Sequence, residues 1–114
     1  MKNYLKTTAG ILLSATMVTA PHADVTIGEL QGFTGPLESM IGAMSGGANL
    51  AVTEANASGK FLQGTINVVQ GDSVCVDAAV AIAQAEKMVN EDNVMAIMGP
   101  NCTGNTIAVI NSVI

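Results

Sequence analysis

Arginine and tryptophan are absent from this chain, tyrosine and histidine occur once each, and phenylalanine occurs twice. Nine acidic residues against four lysines leave a net charge of −5. With no basic face and almost no aromatic rings there is neither an electrostatic groove for phosphates nor a stacking platform for bases, so nucleic acid is excluded as a partner. At 114 residues the chain holds at most one domain. Its 49% hydrophobic content suffices for a core, although part of it falls in a segment that reads as a targeting signal.

That segment is Met1 to Ala23, read as a secretory signal peptide. Lys2 and Lys6 give a positive start, Ala9 to Val18 (AGILLSATMV) an apolar stretch, and Ala23 a small residue suited to cleavage. The apolar stretch is too short for a membrane span. Cleavage after Ala20 is the alternative, because Pro21 sits awkwardly before a cut at Ala23. A buried N-terminal helix is the competing reading, and it lacks a cap before the run. Removing the segment takes away His22 and two lysines, and nine acids against Lys60 and Lys87 then give −7. Without an imidazole, a Ser-His-Asp triad, a Cys-His pair and a histidine metal site all fall away. No catalytic residue, metal or cofactor is expected. Export also bears on Cys75 and Cys102, which in an oxidising compartment read most simply as a disulfide, with two buried thiols as the alternative.

Along the rest of the chain, strand and helix patterns alternate. Val25 to Leu30 reads as a first strand and Gln31 to Pro36 (QGFTGP) as a loop. Leu37, Met40, Ile41, Met44, Ala48, Ala51, Val52 and Ala55 then form an apolar stripe at helical spacing. Gly46 and Gly47 inside that helix predict close packing on the sheet, with a break as the alternative, and Gly59 supplies a left-handed residue past its end. Thr65 to Val69 predicts a second strand, followed by a loop from Gly71 to Cys75. Asp77 is placed to cap a helix over Ala78 to Asn90, with Ala78, Ile82, Ala85 and Val89 facing inward. Val94 to Met98 predicts a third strand, and a further element follows a loop from Gly99 to Thr106. This order implies an α/β fold, a parallel sheet with helices on both faces. Ligands of such sheets bind beyond the carboxyl ends of the strands, where all three loops lie.

The loop after the third strand carries the candidate chemistry. Asn101, Cys102, Thr103, Gly104, Asn105 and Thr106 bring amides, hydroxyls and backbone N–H groups into one turn, a set suited to holding a small polar or anionic group. None of them transfers protons, so the loop reads as a grip. Gly99 to Thr106 nearly spells a phosphate loop, but Asn105 stands where that motif needs lysine. Asp72, Asp77, Glu91 and Asp92 read as solvated or capping carboxylates, and the sequons at Asn56 and Asn101 read as chance.

Together the GFTGP loop, the helix ending in EANASG, the D-S-x-C loop, the alanine-rich DAAVAIAQAEKMV and AIMGPNCTG resemble the periplasmic amino-acid-binding proteins of ABC importers, of the leucine/isoleucine/valine-binding type. The resemblance covers Asp24 to Ile114. It implies a fold of two α/β lobes around a hinged cleft, of which this chain would be the N-terminal part of the first. It also implies a disulfide between Cys75 and Cys102, and an amino-acid head group held by Thr103, with Cys102, Gly104 and Thr34 of the GFTGP loop as further ligand-binding candidates. Met40 stands where some relatives place an aromatic against the ligand side chain. The implied protein is a monomer that captures a branched-chain or related amino acid in the periplasm and delivers it to a membrane permease. A sensor or receptor ectodomain with the same lobe is the alternative, and a small α/β enzyme comes third.

Overall fold

The computed structural model describes residues 24–60 and 64–114, so the segment read as a signal lies outside the described residues. Six elements alternate: β1 (Val25–Gln31), α1 (Glu38–Ala57), β2 (Ile66–Asp72), α2 (Ala78–Asn90), β3 (Ala96–Met98) and α3 (Thr103–Ser112). The sheet is parallel in the order β2-β1-β3. The chain therefore reverses its direction of winding at β1, and the carboxyl ends of β1 and β3 become neighbours.

Alternation along β1 makes the two faces of the sheet chemically different. Leu30 points to one face and is fully buried with Ala81, Ala85 and Met88 of α2 and Val109 of α3, which form the apolar core. Met88 packs flat on the strands because no side chain intervenes. A Cβ added at Gly28 would lie 2.7 Å from the Met88 sulfur, and one at Gly71 would lie 2.7 Å from its methyl. Glu29 points the other way, toward α1, and is also fully buried. Its carboxylate accepts from Gln31 Nε2 at 3.0 Å, Ser45 Oγ at 3.1 Å and Gln70 Nε2 at 2.8 Å. The Glu29 carboxyl group, with no ion pair to it among the described residues, is thus held by three neutral donors, which is what a buried polar group requires.

That polar face corrects two expectations about α1. Of its predicted stripe only Ile41 is buried, whereas Met40 and Met44 are exposed and the polar Ser45 is buried. The helix docks through the Ser45 hydroxyl on Glu29 as well as through apolar contact. Gly46 and Gly47 do not pack closely on the sheet, for a Cβ added at either meets nothing within 4 Å. The inward face of α2 is also displaced: Ala81, Ala85 and Met88 are buried, while Ala78 and Val89 are exposed. The long Met88 side chain fills the space above the strand glycines and sets the rotation.

Boundaries moved where polar residues belong to strands or helices. β2 runs on to Asp72 because Gln70, Gly71 and Asp72 pair in register with Glu29, Leu30 and Gln31. β3 starts only at Ala96. α3 starts at Thr103, three residues before the expected end of its loop, and Thr106 is already inside it with its hydroxyl donating to the Cys102 and Pro100 carbonyls. Asp77 caps α2 as expected, its carboxylate accepting from the Ala79 amide at 2.9 Å. Gly59 has φ of 62° past the end of α1.

Candidate functional site

Three loops follow the three strands, and the structure joins them at one edge. The Gly32 amide, just past β1, donates to Asn101 Oδ1 at 3.1 Å, just past β3. Cys75 and Cys102 are disulfide-bonded with Cα atoms 5.5 Å apart, inside the range such a bond needs. Gly32 lies against that bridge, since a Cβ there would come 3.0 Å from the Cys75 sulfur. Asn105, buried in the first turn of α3, donates to the Ser73 carbonyl at 2.8 Å and fastens the second loop to the third helix. Gly99 is held at φ of 114°, and any Cβ there would collide with the Leu30 carbonyl. This junction of β1 and β3 admits only glycine.

The α3 end of this edge has an anion-binding character. Cys102 is its N-cap, and the cap makes no side-chain hydrogen bond. Its sulfur is committed to the disulfide, so the acceptor that Ser, Asp or Asn would offer the first helical amides is missing. The first N–H groups of a helix have no partner within it, and the helix dipole adds to their pull on an anion. Thr103 and Gly104 stand there, both exposed. A Cβ added at Gly104 would meet nothing within 4 Å, so the backbone is open to close approach.

The other candidates are placed differently. Thr34 is exposed in the β1 loop, and its hydroxyl donates to Asp72 Oδ2 at 2.6 Å. Asp72 Oδ1 accepts from the Val74 amide at 2.9 Å. Burial pushes the Asp72 carboxyl up, but the Thr34 hydroxyl and the Val74, Thr34 and Phe33 amides outweigh it and hold it below its ordinary value. Met40 lies on α1 with 58% of its surface exposed. It does not join the hollow of about 380 Å³ beside the edge, whose walls come from Met44, Ala48, Met98, Gln31, Gly99 and Asn101. The sequence reading passed over Asp72, Asn101 and Asn105 as tying residues. The sequence signal for Asp72 is faint, a carboxylate in the loop that follows the second predicted strand.

Among known proteins, the family described as periplasmic binding protein matches residues 24–113. The chain belongs to that family. Relatives of this periplasmic binding protein include the Leu/Ile/Val-binding protein homolog 7 of Brucella abortus, 35% identical over 86 residues, 75% of this chain and 21% of the relative. Homolog 8 of the same organism is 33% identical over 99 residues, 87% of this chain and 24% of the relative. Among solved structures, the branched-chain amino acid transporter substrate binding protein LivJ of Streptococcus pneumoniae, in complex with isoleucine, is 31% identical with a TM-score of 0.72. It is matched over 79% of this chain and 26% of its own. A possible leucine/isoleucine/valine-binding protein of Rhodopirellula baltica, 20% identical with a TM-score of 0.72, shares the fold. The chain thus spans about a fifth to a quarter of the length of these relatives. The structural neighbours are two-lobed, and the described sheet corresponds to part of a lobe. The family is a solute-binding fold rather than an enzyme.

Proposed function

We propose that this chain belongs to the solute-binding component of an ABC importer, capturing a branched-chain or related amino acid in the periplasm for delivery to a membrane permease, with Met1 to Ala23 as its export signal. The observation that carries the reading is the open N-terminus of α3 at a disulfide-tied strand edge, where the Thr103 hydroxyl and the unspent first amides offer donors to a carboxylate. The isoleucine complex of LivJ supports the choice of ligand class. In this reading Thr103 and the Gly104 and Cys102 backbone hold the ligand's carboxylate. The Cys75–Cys102 bridge keeps the grip in shape before the ligand arrives, so less ordering has to occur on binding.

Capture in two-lobed binding proteins depends on closing one lobe on the other. Alone, the 114-residue chain is therefore expected to bind leucine, isoleucine or valine only at millimolar concentration. An amide-resolved NMR titration of the labelled chain tests the assignment. The Cys102, Thr103 and Gly104 signals should move with each amino acid and stay still with an uncharged alcohol such as isobutanol. Micromolar affinity in calorimetry would show that one lobe suffices. Shifts confined to residues away from the strand-end edge would remove the site from α3.

A further inference from the structure

The disulfide closes on a strained piece of backbone. The Cys75 amide donates to the Ser73 carbonyl at 2.6 Å and the Val76 amide to the Val74 carbonyl at 2.8 Å, so two γ-turns follow one another. Their middle residues, Val74 and Cys75, sit at φ of 48° and 66°. Such turns at positive φ are rare and strained, and a β-branched residue such as Val74 is the least suited to them. Anchors on either side impose them. Ser73 is fixed by its amide on the Gln31 carbonyl at 2.7 Å and by Asn105 on its own carbonyl at 2.8 Å. Its hydroxyl is fully buried with no hydrogen-bond partner among the described residues, a further cost of holding it there. Two residues on, Cys75 is tied to Cys102. Only Val74 lies between the two anchors, and cutting the sulfur bond frees one of them.

The bond is also within reach and has a ready leaving group. Both cysteines are half-buried, so a small thiol can approach. Cys102 is the N-cap of α3, and a sulfur released there as thiolate meets the first helical amides, which stabilise an anion. We propose that the Cys75–Cys102 disulfide is a redox-sensitive latch on the binding edge, opened by a dithiol. One dithiol sulfur attacks Cys75 Sγ and displaces Cys102 as a thiolate, and the second then attacks the first and displaces Cys75. The dithiol is oxidised to its cyclic disulfide, two electrons pass to the protein pair, and the two thiol protons go to the freed sulfurs or to water. Val74 and Cys75 leave their γ-turns. The Cys102 sulfur becomes a side-chain cap for the Gly104 and Asn105 amides, so the reduced edge offers less to a ligand's carboxylate. That effect on binding rests on the amino-acid reading above, and the lability of the bond rests on the loop alone.

The test equilibrates the 114-residue chain, as wild type, Val74→Gly and Val76→Gly, with mixtures of dithiothreitol and its cyclic disulfide, and reads the reduced fraction by alkylation and mass spectrometry. Glycine takes positive φ freely, so Val74→Gly should be about 5- to 10-fold harder to reduce than the wild type. Val76 is exposed and not at positive φ, and Val76→Gly, which adds only chain freedom, should be no harder to reduce. In the labelled, reduced wild type the Gly104 and Asn105 amide signals should titrate with the Cys102 thiol, and in the Cys75→Ala, Cys102→Ala double variant they should not. Leucine should shift the Thr103 and Gly104 signals of the oxidised chain at about 5-fold lower concentration than those of the reduced chain. A Val74→Gly chain reduced as readily as the wild type, or an equal gain in resistance in Val76→Gly, would overturn the strained latch. Amide signals indifferent to the thiol, or equal responses to leucine in both redox states, would overturn the gating. The expected reduction series with no response to leucine in the oxidised chain would defeat the amino-acid reading while the latch stood.

Discussion

At the scale of single residues, the distinction that matters is between side chains whose hydrogen bonds are spent and those that are free. Thr103 occupies the first turn of α3 without capping it, because the N-cap is Cys102. In a two-lobed protein that carries this lobe, Thr103→Val should therefore leave the melting temperature nearly unchanged, while a lost hydrogen bond to a charged head group, roughly 1.5–3 kcal/mol, should cost about 10- to 100-fold in affinity for every amino-acid ligand. A melting point several degrees lower with affinity intact would show that the hydroxyl serves the helix. Glu29 is the opposite case, a buried carboxylate wholly engaged by Gln31, Ser45 and Gln70. Glu29→Ala leaves those three donors facing an empty space, and urea unfolding should report a loss of about 3–5 kcal/mol. A loss below about 1 kcal/mol would mean that water takes over the carboxylate's place at no cost.

Among the elements, α2 gives the plainest account of cause. Its start is fixed by the Asp77 carboxylate on the Ala79 amide, and Asp77→Ala should cost about 1 kcal/mol in chemical denaturation. Its rotation is fixed by Met88, 1% exposed and seated over Gly28 and Gly71. Met88→Ala should cost roughly 2–5 kcal/mol, with the cavity left between α2 and the sheet. The first helix is bound differently, through Ser45 and Asn56, whose amide donates to the Ile66 carbonyl at 3.0 Å and accepts from the Ile66 amide at 2.8 Å. Polar contacts at both its middle and its end explain how a helix with exposed methionines still lies on the sheet.

For the molecule as a whole, two long-range constraints act on the same edge. The disulfide closes a separation of 27 residues, which in the chain-entropy account is worth roughly 3–4 kcal/mol. Cys75→Ser with Cys102→Ser should lower stability by that order, measured by denaturant unfolding under matched conditions. The second constraint depends on pH. Because folding lowers the Asp72 value from its ordinary 3.8, its contribution is complete above the unfolded value and is lost as pH falls through the folded one. Lys87 is the reverse: the Asp92 carboxylate raises it from 10.5, so that contribution is complete below the unfolded value and lost as pH rises through the folded one. Stability measured across pH should fall at both extremes, and Asp72→Asn should flatten the acid limb alone.

Hydrophobic period, turn residues and caps are local properties, and they were enough to determine the βαβαβα order, the parallel sheet covered on both faces, the cap at Asp77 and the strand-end position of the loops. The pairing of Cys75 with Cys102 was readable from the expected export and the resemblance, and the 5.5 Å separation agrees with it. Only the tertiary structure decided which side of each helix faces inward. Period places a stripe to within a residue or so, but the packing partner chooses the rotation: Met88 over two strand glycines for α2, Ser45 on a buried carboxylate for α1. The fate of Thr34 and Asp72 was likewise settled in three dimensions. A hydroxyl and a carboxylate 38 residues apart carry no local sign of each other, because a hydrogen bond depends on distance in space, and that distance exists only once β1 and β2 are paired.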